Sequence, residues 1–191
     1  MRQIILASAS PRRKNLLERL ELNVKVVPSR VEEKLNPRLK GVSQAESLSK
    51  QKAEAVAKHY KDSIVLAADT LVLLGESILG KPKDINDAKR MLRKLSGKKH
   101  IVVTGYTIIE TSTRKSITKS EVTDVYFKEL SKYEIDHYVK KENTLDKAGA
   151  YAIQGIGSIF IEKIEGDYFN VVGLPMFSVA KSLKRLGFEI L

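Results

Sequence analysis

The order of apolar and polar residues along the chain predicts an alternation of strands and helices. Apolar or alternating segments predict six strands, at residues 4–7, 24–28, 64–74, 100–109, 116–127 and 159–164. The third segment is apolar except for Asp69 and Thr70, which is typical of a central strand covered on both faces. Because both hairpins and crossovers must join these segments, we expect an α/β fold with a mixed sheet flanked by helices.

Helix starts are marked by side chains that can cap a free backbone N–H group. Ser10 precedes Pro11, a favoured first helical residue, and this pair predicts a helix from Pro11. Two S-x-x-E sequences, Ser43 to Glu46 and Ser131 to Glu134, predict capping boxes at the starts of two more helices. Two further helices are expected, at residues 85–95 and from Pro175 to near Gly187.

Length and composition limit the class of protein. The chain has 191 residues without a linker-like or repeated segment, so we expect a single domain over residues 1–191. It contains no cysteine, which excludes disulfides, cysteine zinc sites and thiol catalysis. The first apolar run is too short for a signal peptide, and no later run approaches the ~18 residues of a membrane span. We therefore expect a cytoplasmic protein with no membrane partner.

The charge balance is strongly basic, with 34 Lys+Arg against 23 Asp+Glu and a formal net charge of +11. Such a charge suits an anionic partner, which can be nucleic acid, an acidic membrane or a small polyphosphate. The alternative is a charge that serves solubility, with the lysine and glutamate enrichment of thermophiles. Aromatic residues make up 6% of the chain and basic residues are dispersed, which argues against nucleic acid as the main partner.

The predicted first helix begins with two cations, Arg12 and Arg13, where the helix macrodipole disfavours them by about 0.3–1 kcal/mol each. The arrangement becomes favourable if an anion sits there, held by backbone N–H groups, the Ser8 and Ser10 hydroxyls and the guanidinium groups. The alternative is that both arginines point into solvent. The sequence thus indicates a candidate phosphate site.

Asp69 interrupts the longest apolar segment of the chain. A carboxylate in a buried strand is costly unless it is paired, hydrogen-bonded or bound to a metal. An aspartate at a strand end that faces a cleft can serve as a base or as a Mg²⁺ ligand. The alternative is an aspartate that caps a backbone turn.

Lys52 and Lys81 also depart from their local patterns. Lys52 falls between Leu48 and Val56 in the apolar stripe of its helix, where a snorkelling side chain and a functional one are both open interpretations. Lys81 lies between Gly80 and Pro82, in a rigid extended segment.

Other familiar sites are absent from the sequence. The three histidines, His59, His100 and His137, lack metal-ligand spacing and are expected at the surface or partly packed. No strand is followed by a P-loop or a dinucleotide-binding glycine motif, so the common nucleotide-binding folds are not indicated.

Several short motifs occur in one order along the whole chain. They are Leu6-Ala-Ser-Ala-Ser-Pro-Arg-Arg13, Ala68-Asp-Thr70, Gly80-Lys-Pro82, Ser96-Gly97, Thr104-Gly105, Lys147-Ala-Gly-Ala-Tyr-Ala-Ile-Gln-Gly155 and Asn170-Val-Val-Gly-Leu-Pro175. Together they closely resemble the Maf family.

The resemblance implies a nucleoside triphosphate pyrophosphatase with an elongated mixed sheet and two lobes around a cleft, similar to the inosine-triphosphatase class. Members of the family hydrolyse the α–β phosphoanhydride to a nucleoside monophosphate and pyrophosphate. They use a divalent metal cation, here expected to be Mg²⁺ or Mn²⁺, and are usually homodimers.

Residue roles are also implied, position by position. Asp69 matches the proton acceptor of the family, and Glu33 matches its acidic residue, so these two are the implied metal ligands. The phosphate-handling positions of the family are matched by Ser8, Ser10, Arg13, Lys52 and Lys81. Three further residues, Arg12, Thr70 and Gln154, are those of the branch that acts on dTTP and UTP, whereas the branch that acts on CTP and methylated GTP has Trp, Gln and Glu there.

Two other functions stay open at this point. One is a protein that interacts with nucleic acid or acts in cell division through its positive charge. The other is a housecleaning enzyme that prefers modified pyrimidine nucleotides over normal ones.

Overall fold

The structure, a computed structural model, describes residues 2–31, 36 and 38–191. The strands in this part of the chain are β1 (Ile4–Leu6), β2 (Val24–Val26), β3 (Ile64–Leu74), β4 (Ser77–Leu79), β5 (Lys99–Glu110), β6 (Ser116–Phe127) and β7 (Ile161–Glu165). The helices there are α1 (Pro11–Glu18), α2 (Gly41–Ala57), α3 (Ile85–Leu95), α4 (Lys132–Lys141), α5 (Tyr168–Val172) and α6 (Met176–Arg185). None of these helices has the length and apolar character that a membrane crossing requires.

Within the described residues the strands form one mixed sheet in the order β2-β1-β3-β5-β6-β7, with β4 paired to β3. β1 runs parallel to both neighbours, so that Ile5 lies opposite Lys25 on β2 and Val65 on β3. β4 and β7 run antiparallel to their partners. Parallel neighbours require crossover connections, which α1 and α2 provide. The prediction of a mixed α/β fold is confirmed.

The chain divides into two compact units. The first unit comprises residues 1–69, 104–121 and 173–191, and the second comprises residues 70–103 and 122–172. Strands β3, β5 and β6 each pass from one unit into the other, and β3 does so between Asp69 and Thr70.

The core of the first unit lies between its parallel strands and α2. Ile5 and Ala7 lie beside Val65 and Ala67 on the face of the sheet that packs against Ala53 and its neighbours on α2. The alternate residues of β1 and β3 on the other face are also fully buried. Burial on both faces explains why these two strands have continuous apolar sequences rather than alternating ones.

The second unit contains α3 and α4, which pack against each other. The buried side of α3 is formed by Ala88, Met91, Leu92 and Leu95, which recur at helical spacing. Asp84 caps the start of this helix by accepting a hydrogen bond from the Asp87 N–H, at 2.8 Å. The helix ends at the predicted residue, before Gly97.

Two of the three predicted helix caps are confirmed. Ser10 caps α1, with Pro11 as the first helical residue. At α4, Ser131 Oγ accepts from the Glu134 N–H at 3.2 Å, and Glu134 Oε2 accepts from the Ser131 N–H at 2.8 Å. These caps depend on residues three positions apart, so the sequence alone is sufficient to predict them.

The capping box predicted at Ser43 and Glu46 is wrong. Helix α2 begins earlier, at Gly41, and its N-cap residue Lys40 makes no side-chain capping bond. Glu46 Oε1 instead accepts a hydrogen bond from the Ser120 hydroxyl on β6, at 2.7 Å. A partner distant in the sequence thus binds the carboxylate that the local motif assigned to the helix end.

Candidate active site

The predicted phosphate site lies at the start of α1, directly after β1. Ser8 Oγ accepts hydrogen bonds from the Ser10 N–H at 3.2 Å and from Arg13 Nη1 at 3.0 Å. Ser10 Oγ accepts from the Arg13 N–H, and Arg13 Nε donates to the Gly173 carbonyl at 2.8 Å. The two serines and Arg13 therefore form one hydrogen-bonded group at a helix N-terminus, where the macrodipole attracts anions.

The two arginines at this helix start do not simply point into solvent. Both Arg12 and Arg13 are only partly exposed, and Arg13 is held against the Gly173 carbonyl, 160 residues away in the chain. A guanidinium with a fixed orientation loses less entropy when it binds a phosphate. Gly173 was absent from the predicted site because no local pattern relates its carbonyl to Arg13.

Asp69 and Lys52 form a buried ion pair. Lys52 Nζ, which comes from α2, donates a hydrogen bond to Asp69 Oδ1 on β3. The exposed fractions of the two side chains are 13% and 10%. Removing one partner of such a pair typically costs about 3–5 kcal/mol of stability, because the remaining charge is buried without compensation. The two charged residues that disrupted apolar patterns in the sequence thus compensate each other.

The start of α1 and the ion pair both follow the parallel pairing of β1 with β3, in the direction of the two strands. β1 and β3 are parallel, with Leu6 opposite Leu66, and the Ala7 N–H donates to the Leu66 carbonyl at 2.8 Å. Ser8 follows β1 in the same direction in which Asp69 follows Leu66 along β3. Ligands of open α/β sheets bind beyond the carboxyl ends of parallel strands, which is the position of the α1 start. Asp69 lies within β3, three residues beyond Leu66, the last residue of β3 that pairs with β1.

The predicted site residues of the second unit are Thr70, Lys81 and Gln154. Thr70 is half-buried on β3, and Lys81 is exposed after β4. The Gly80 carbonyl beside Lys81 accepts from the Gly149 N–H at 3.0 Å. Gln154 is half-buried and precedes a 3-10 turn that spans Gly155–Phe160.

Gly149 is required where the segment before Gln154 passes β3. Its φ is +68°, and a Cβ atom there would lie 3.1 Å from the Val72 side chain. A larger residue would be strained in this left-handed conformation and crowded by Val72. The glycine therefore lets this segment approach both β3 and the Lys81 loop within the second unit.

The predicted metal ligands are Glu33 and Asp69, and Glu33 lies outside the described residues. Within the described part, no group of three His, Asp or Glu side chains is placed to hold a metal ion. Mg²⁺ commonly binds one or two protein carboxylates and takes its other ligands from water and substrate phosphates. The Asp69 carboxylate, on β3 beyond its pairing with β1, can supply one such ligand.

His100 is buried, contrary to the surface or partly packed position expected from the sequence. It is 2% exposed, and its Nε2 lies 2.7 Å from the Tyr151 hydroxyl. Burial lowers the pKa of His100 to about 4, and it raises the pKa of Tyr151 above its usual range. His100 lies near the start of β5, a strand in which residues 102–108 are buried without interruption.

Comparisons with known proteins agree with the resemblance. Residues 3–186 match the family model described as "Maf-like protein". A dTTP/UTP pyrophosphatase of Alkaliphilus oremlandii is 50% identical over 186 residues, which are 97% of this chain and 96% of the relative. The dTTP/UTP pyrophosphatases of Bacillus cereus (strain G9842) and Methanosarcina barkeri are 48% and 46% identical, over 100% of this chain and 98% and 97% of theirs.

Among solved structures, a nucleoside-triphosphatase / dITP/XTP pyrophosphatase of Mycobacterium abscessus matches with a TM-score of 0.49 and 15% identity, over 97% of each chain. The Ham1 protein of Staphylococcus aureus matches with a TM-score of 0.48 and 15% identity, over 84% of this chain and 80% of that one.

Proposed function

The chain belongs to the Maf family, and on that premise we propose that it is a pyrophosphatase that hydrolyses dTTP and UTP to the nucleoside monophosphate and pyrophosphate. Relatives named dTTP/UTP pyrophosphatases, 46–50% identical over nearly the whole chain, support the proposal. The observation in this molecule that carries it is the buried Lys52–Asp69 pair, which, like the α1 start, follows the parallel pairing of β1 with β3.

Asp69 is the residue that orients or deprotonates the attacking water. An ionised carboxylate offers about four acceptor positions, so the bond from Lys52 to Oδ1 leaves capacity for a water molecule. Lys52 fixes the direction of the carboxylate, which is what alignment of a nucleophile with the α-phosphorus requires. Phosphoryl transfer depends on such positioning and on charge neutralisation more than on covalent help from the protein.

The phosphate chain is held by the group at the start of α1 and by the lysines. A nucleoside triphosphate carries about four negative charges, which suits Ser8, Ser10, Arg13, Lys52 and Lys81. The hydroxyls and helix N–H groups donate to phosphate oxygens, while Arg13 and the lysines stabilise the charge of the departing pyrophosphate. A small polyphosphate also explains a basic protein whose charge is dispersed rather than concentrated in an arm.

A divalent cation, Mg²⁺ or Mn²⁺, held by Asp69 and Glu33, would neutralise charge on the triphosphate when it is bound. Asp69 then both activates the water and binds the cation, which one carboxylate can do because its oxygens accept from several directions. Substitution of Asp69 removes both functions.

Base selection is assigned to Arg12, Thr70 and Gln154. The amide of Gln154 both donates and accepts, as the O4 and N3–H edge of uracil or thymine requires. Cytosine has a donor at position 4 and an acceptor at N3, so a site that matches uracil leaves buried groups unpaired. Thr70 adjoins Asp69 in the chain and positions the substrate relative to the water, and Arg12 contacts the base or ribose.

The assembly and cellular location are part of the proposal. We place the enzyme in the cytoplasm, where nucleoside triphosphates are made, and assign it a homodimeric state. Light scattering of the purified protein measures the state directly, and a monomer at micromolar concentration contradicts the assignment.

A panel of nucleoside triphosphates with Mg²⁺, scored for pyrophosphate release, tests the function. We expect dTTP and UTP to be the preferred substrates among the canonical nucleotides, with CTP, ATP and GTP far slower. Modified pyrimidine triphosphates belong in the same panel, because a higher kcat/KM for them would assign the enzyme to housecleaning. Absence of pyrophosphate release from every pyrimidine nucleotide overturns the proposal.

A further inference from the structure

The segment that precedes Gln154 is anchored to the core of the second unit by two tyrosine hydroxyls. The Tyr151 hydroxyl lies 2.7 Å from His100 Nε2, and both side chains are buried. The next residue, Ala152, donates its N–H to the Tyr138 hydroxyl at 3.3 Å. The two residues that lie three and two positions before Gln154 are therefore held by side chains of β5 and α4.

The segment that follows Gln154, residues 155–158, is also fixed by close contacts. A Cβ atom on Gly157 would lie 2.3 Å from the Ala152 carbonyl oxygen, so the backbone on both sides of Gln154 is in direct contact. Ser158 Oγ donates to the Gly155 carbonyl at 2.7 Å and closes the turn. Gln154 thus occupies the tip of a short loop with both ends fixed.

His100 is the residue through which the sheet holds this loop. Its ring packs edge-to-face against Phe127 on β6, with centroids 4.9 Å apart, and against Tyr151, 5.4 Å apart. Phe127 and Tyr151 pack on each other at 4.7 Å. The three buried rings pack at interplanar angles of 87°, 86° and 72°, and such close packing restricts the movement of the Tyr151 side chain.

We propose that His100 is a positioning residue for pyrimidine recognition, which acts through the Tyr151 hydroxyl to set the place of the Gln154 amide. This inference rests on the proposed function, in which Gln154 binds the base edge. A donor and acceptor pair distinguishes uracil from cytosine only when its atoms lie within a few tenths of an ångström of their hydrogen-bonding positions. Loosening the loop therefore lowers discrimination between bases.

The Tyr151→Phe variant tests the proposal, because it removes the hydroxyl and keeps the ring. We expect kcat/KM for UTP to fall about tenfold while kcat/KM for CTP changes less than about twofold, the loss of one positioned hydrogen bond. The matched control is Tyr106→Phe in the first unit. Tyr106 is also a buried phenol, and its hydroxyl lies 2.8 Å from the hydroxyls of Ser178 and Ser182.

A purely structural tyrosine lowers the unfolding temperature without changing the ratio of UTP to CTP rates. We expect that behaviour from Tyr106→Phe and a changed ratio from Tyr151→Phe. Combining Tyr151→Phe with Gln154→Ala should give the ratio of Gln154→Ala alone, because the hydroxyl acts through Gln154. At position 100, glutamine keeps a group that bonds the Tyr151 hydroxyl, so His100→Gln should retain more selectivity than His100→Leu.

The outcomes separate this inference from the proposed function. An unchanged UTP to CTP ratio in a folded Tyr151→Phe variant, or an equal change in Tyr106→Phe, overturns the role of His100 and leaves the pyrophosphatase assignment intact. Additive effects of Tyr151→Phe and Gln154→Ala also overturn it. If the wild-type enzyme releases no pyrophosphate from UTP or dTTP, the proposed function fails, and this inference fails with it.

Discussion

Lys52 on α2 and Asp69 on β3 form a buried ion pair just beyond the end of the parallel β1–β3 pairing. Each residue disrupts an apolar pattern in its own element, and each compensates the charge of the other. A charged pair in this position lowers stability less than either charge alone, but an apolar pair of the same volume is often more stable still. Stability alone therefore does not account for the pair, whereas the proposed role of Asp69 in aligning the attacking water does.

Changing Asp69 to asparagine should reduce kcat by more than about tenfold, which corresponds to about 1.4 kcal/mol of transition-state stabilisation. Asparagine keeps the shape and an acceptor for Lys52, and it loses both the basicity and the strong metal ligand. Steady-state kinetics with UTP or dTTP measures the effect, and circular dichroism checks the fold.

A matched control for that variant is Asp136→Asn. Asp136 on α4 forms an ion pair with Lys89 at 2.6 Å. It is an aspartate paired with a lysine, like Asp69, but it is not one of the predicted site residues. This variant should retain kcat. Retention of more than about a tenth of wild-type kcat by Asp69→Asn would exclude Asp69 as the base or a key ligand.

The position of water attack is testable by isotope. Under the proposed attack of water on the α-phosphorus, hydrolysis in H₂¹⁸O should place the label in the nucleoside monophosphate and leave pyrophosphate unlabelled. Mass spectrometry of the products decides this. Label in pyrophosphate, or products that are diphosphate and orthophosphate, would show attack at another phosphorus.

Base selectivity should follow Arg12, Thr70 and Gln154. The triple change to Trp, Gln and Glu, the residue types of the sister branch, should weaken the preference for dTTP and UTP over CTP. Mismatched buried donors and acceptors discriminate by several kcal/mol, on the order of 10⁴-fold at most, so the change should be large. Competition assays with the three nucleotides measure it, and a strong remaining preference for UTP would place base selection elsewhere.

Acid should destabilise the protein through His100. Its folded-state pKa of about 4 lies below the usual value of 6.5, so the unfolded chain takes up the proton first as the pH falls. The stabilising contribution is complete above about pH 6.5 and is lost between about pH 6.5 and pH 4, to a total of about 3 kcal/mol. Urea unfolding across this range measures the loss.

The comparison variant for that experiment is His100→Gln, which does not titrate. The difference in free energy of unfolding between the wild type and His100→Gln should decrease by about 3 kcal/mol from pH 7 to pH 4. A constant difference would show that the His100 pKa is not lowered in the folded protein.

Stability should also depend on the close approach of α2 to β5 at Gly105. A Cβ atom there would lie 2.3 Å from the Ala45 backbone carbon, so Gly105→Ala must displace the helix. Such overpacking costs about 1–3 kcal/mol, measurable by thermal unfolding. Gly80→Ala is the control, because a Cβ atom on Gly80 would have no neighbour within 4 Å. Equal stability of the two variants would contradict the close contact.

Much of the architecture was predictable from local sequence. The apolar run of β3, the cap of α1 at Ser10 and the capping box of Ser131 and Glu134 all appear in the structure. Each depends on residues within one element or one helical turn, where covalent geometry places the partners together. The residues of the candidate site were named from motifs that match the family, and their roles stay predictions.

Tertiary structure alone decided the partners of those residues. Lys52 meets Asp69, Glu46 binds Ser120 rather than its own helix end, and Arg13 binds the carbonyl of Gly173. These contacts join residues 17, 74 and 160 positions apart, so they exist only after the order and register of the strands are established. A local sequence pattern predicts an element and the side chains on it, whereas long-range packing determines which residues those side chains contact.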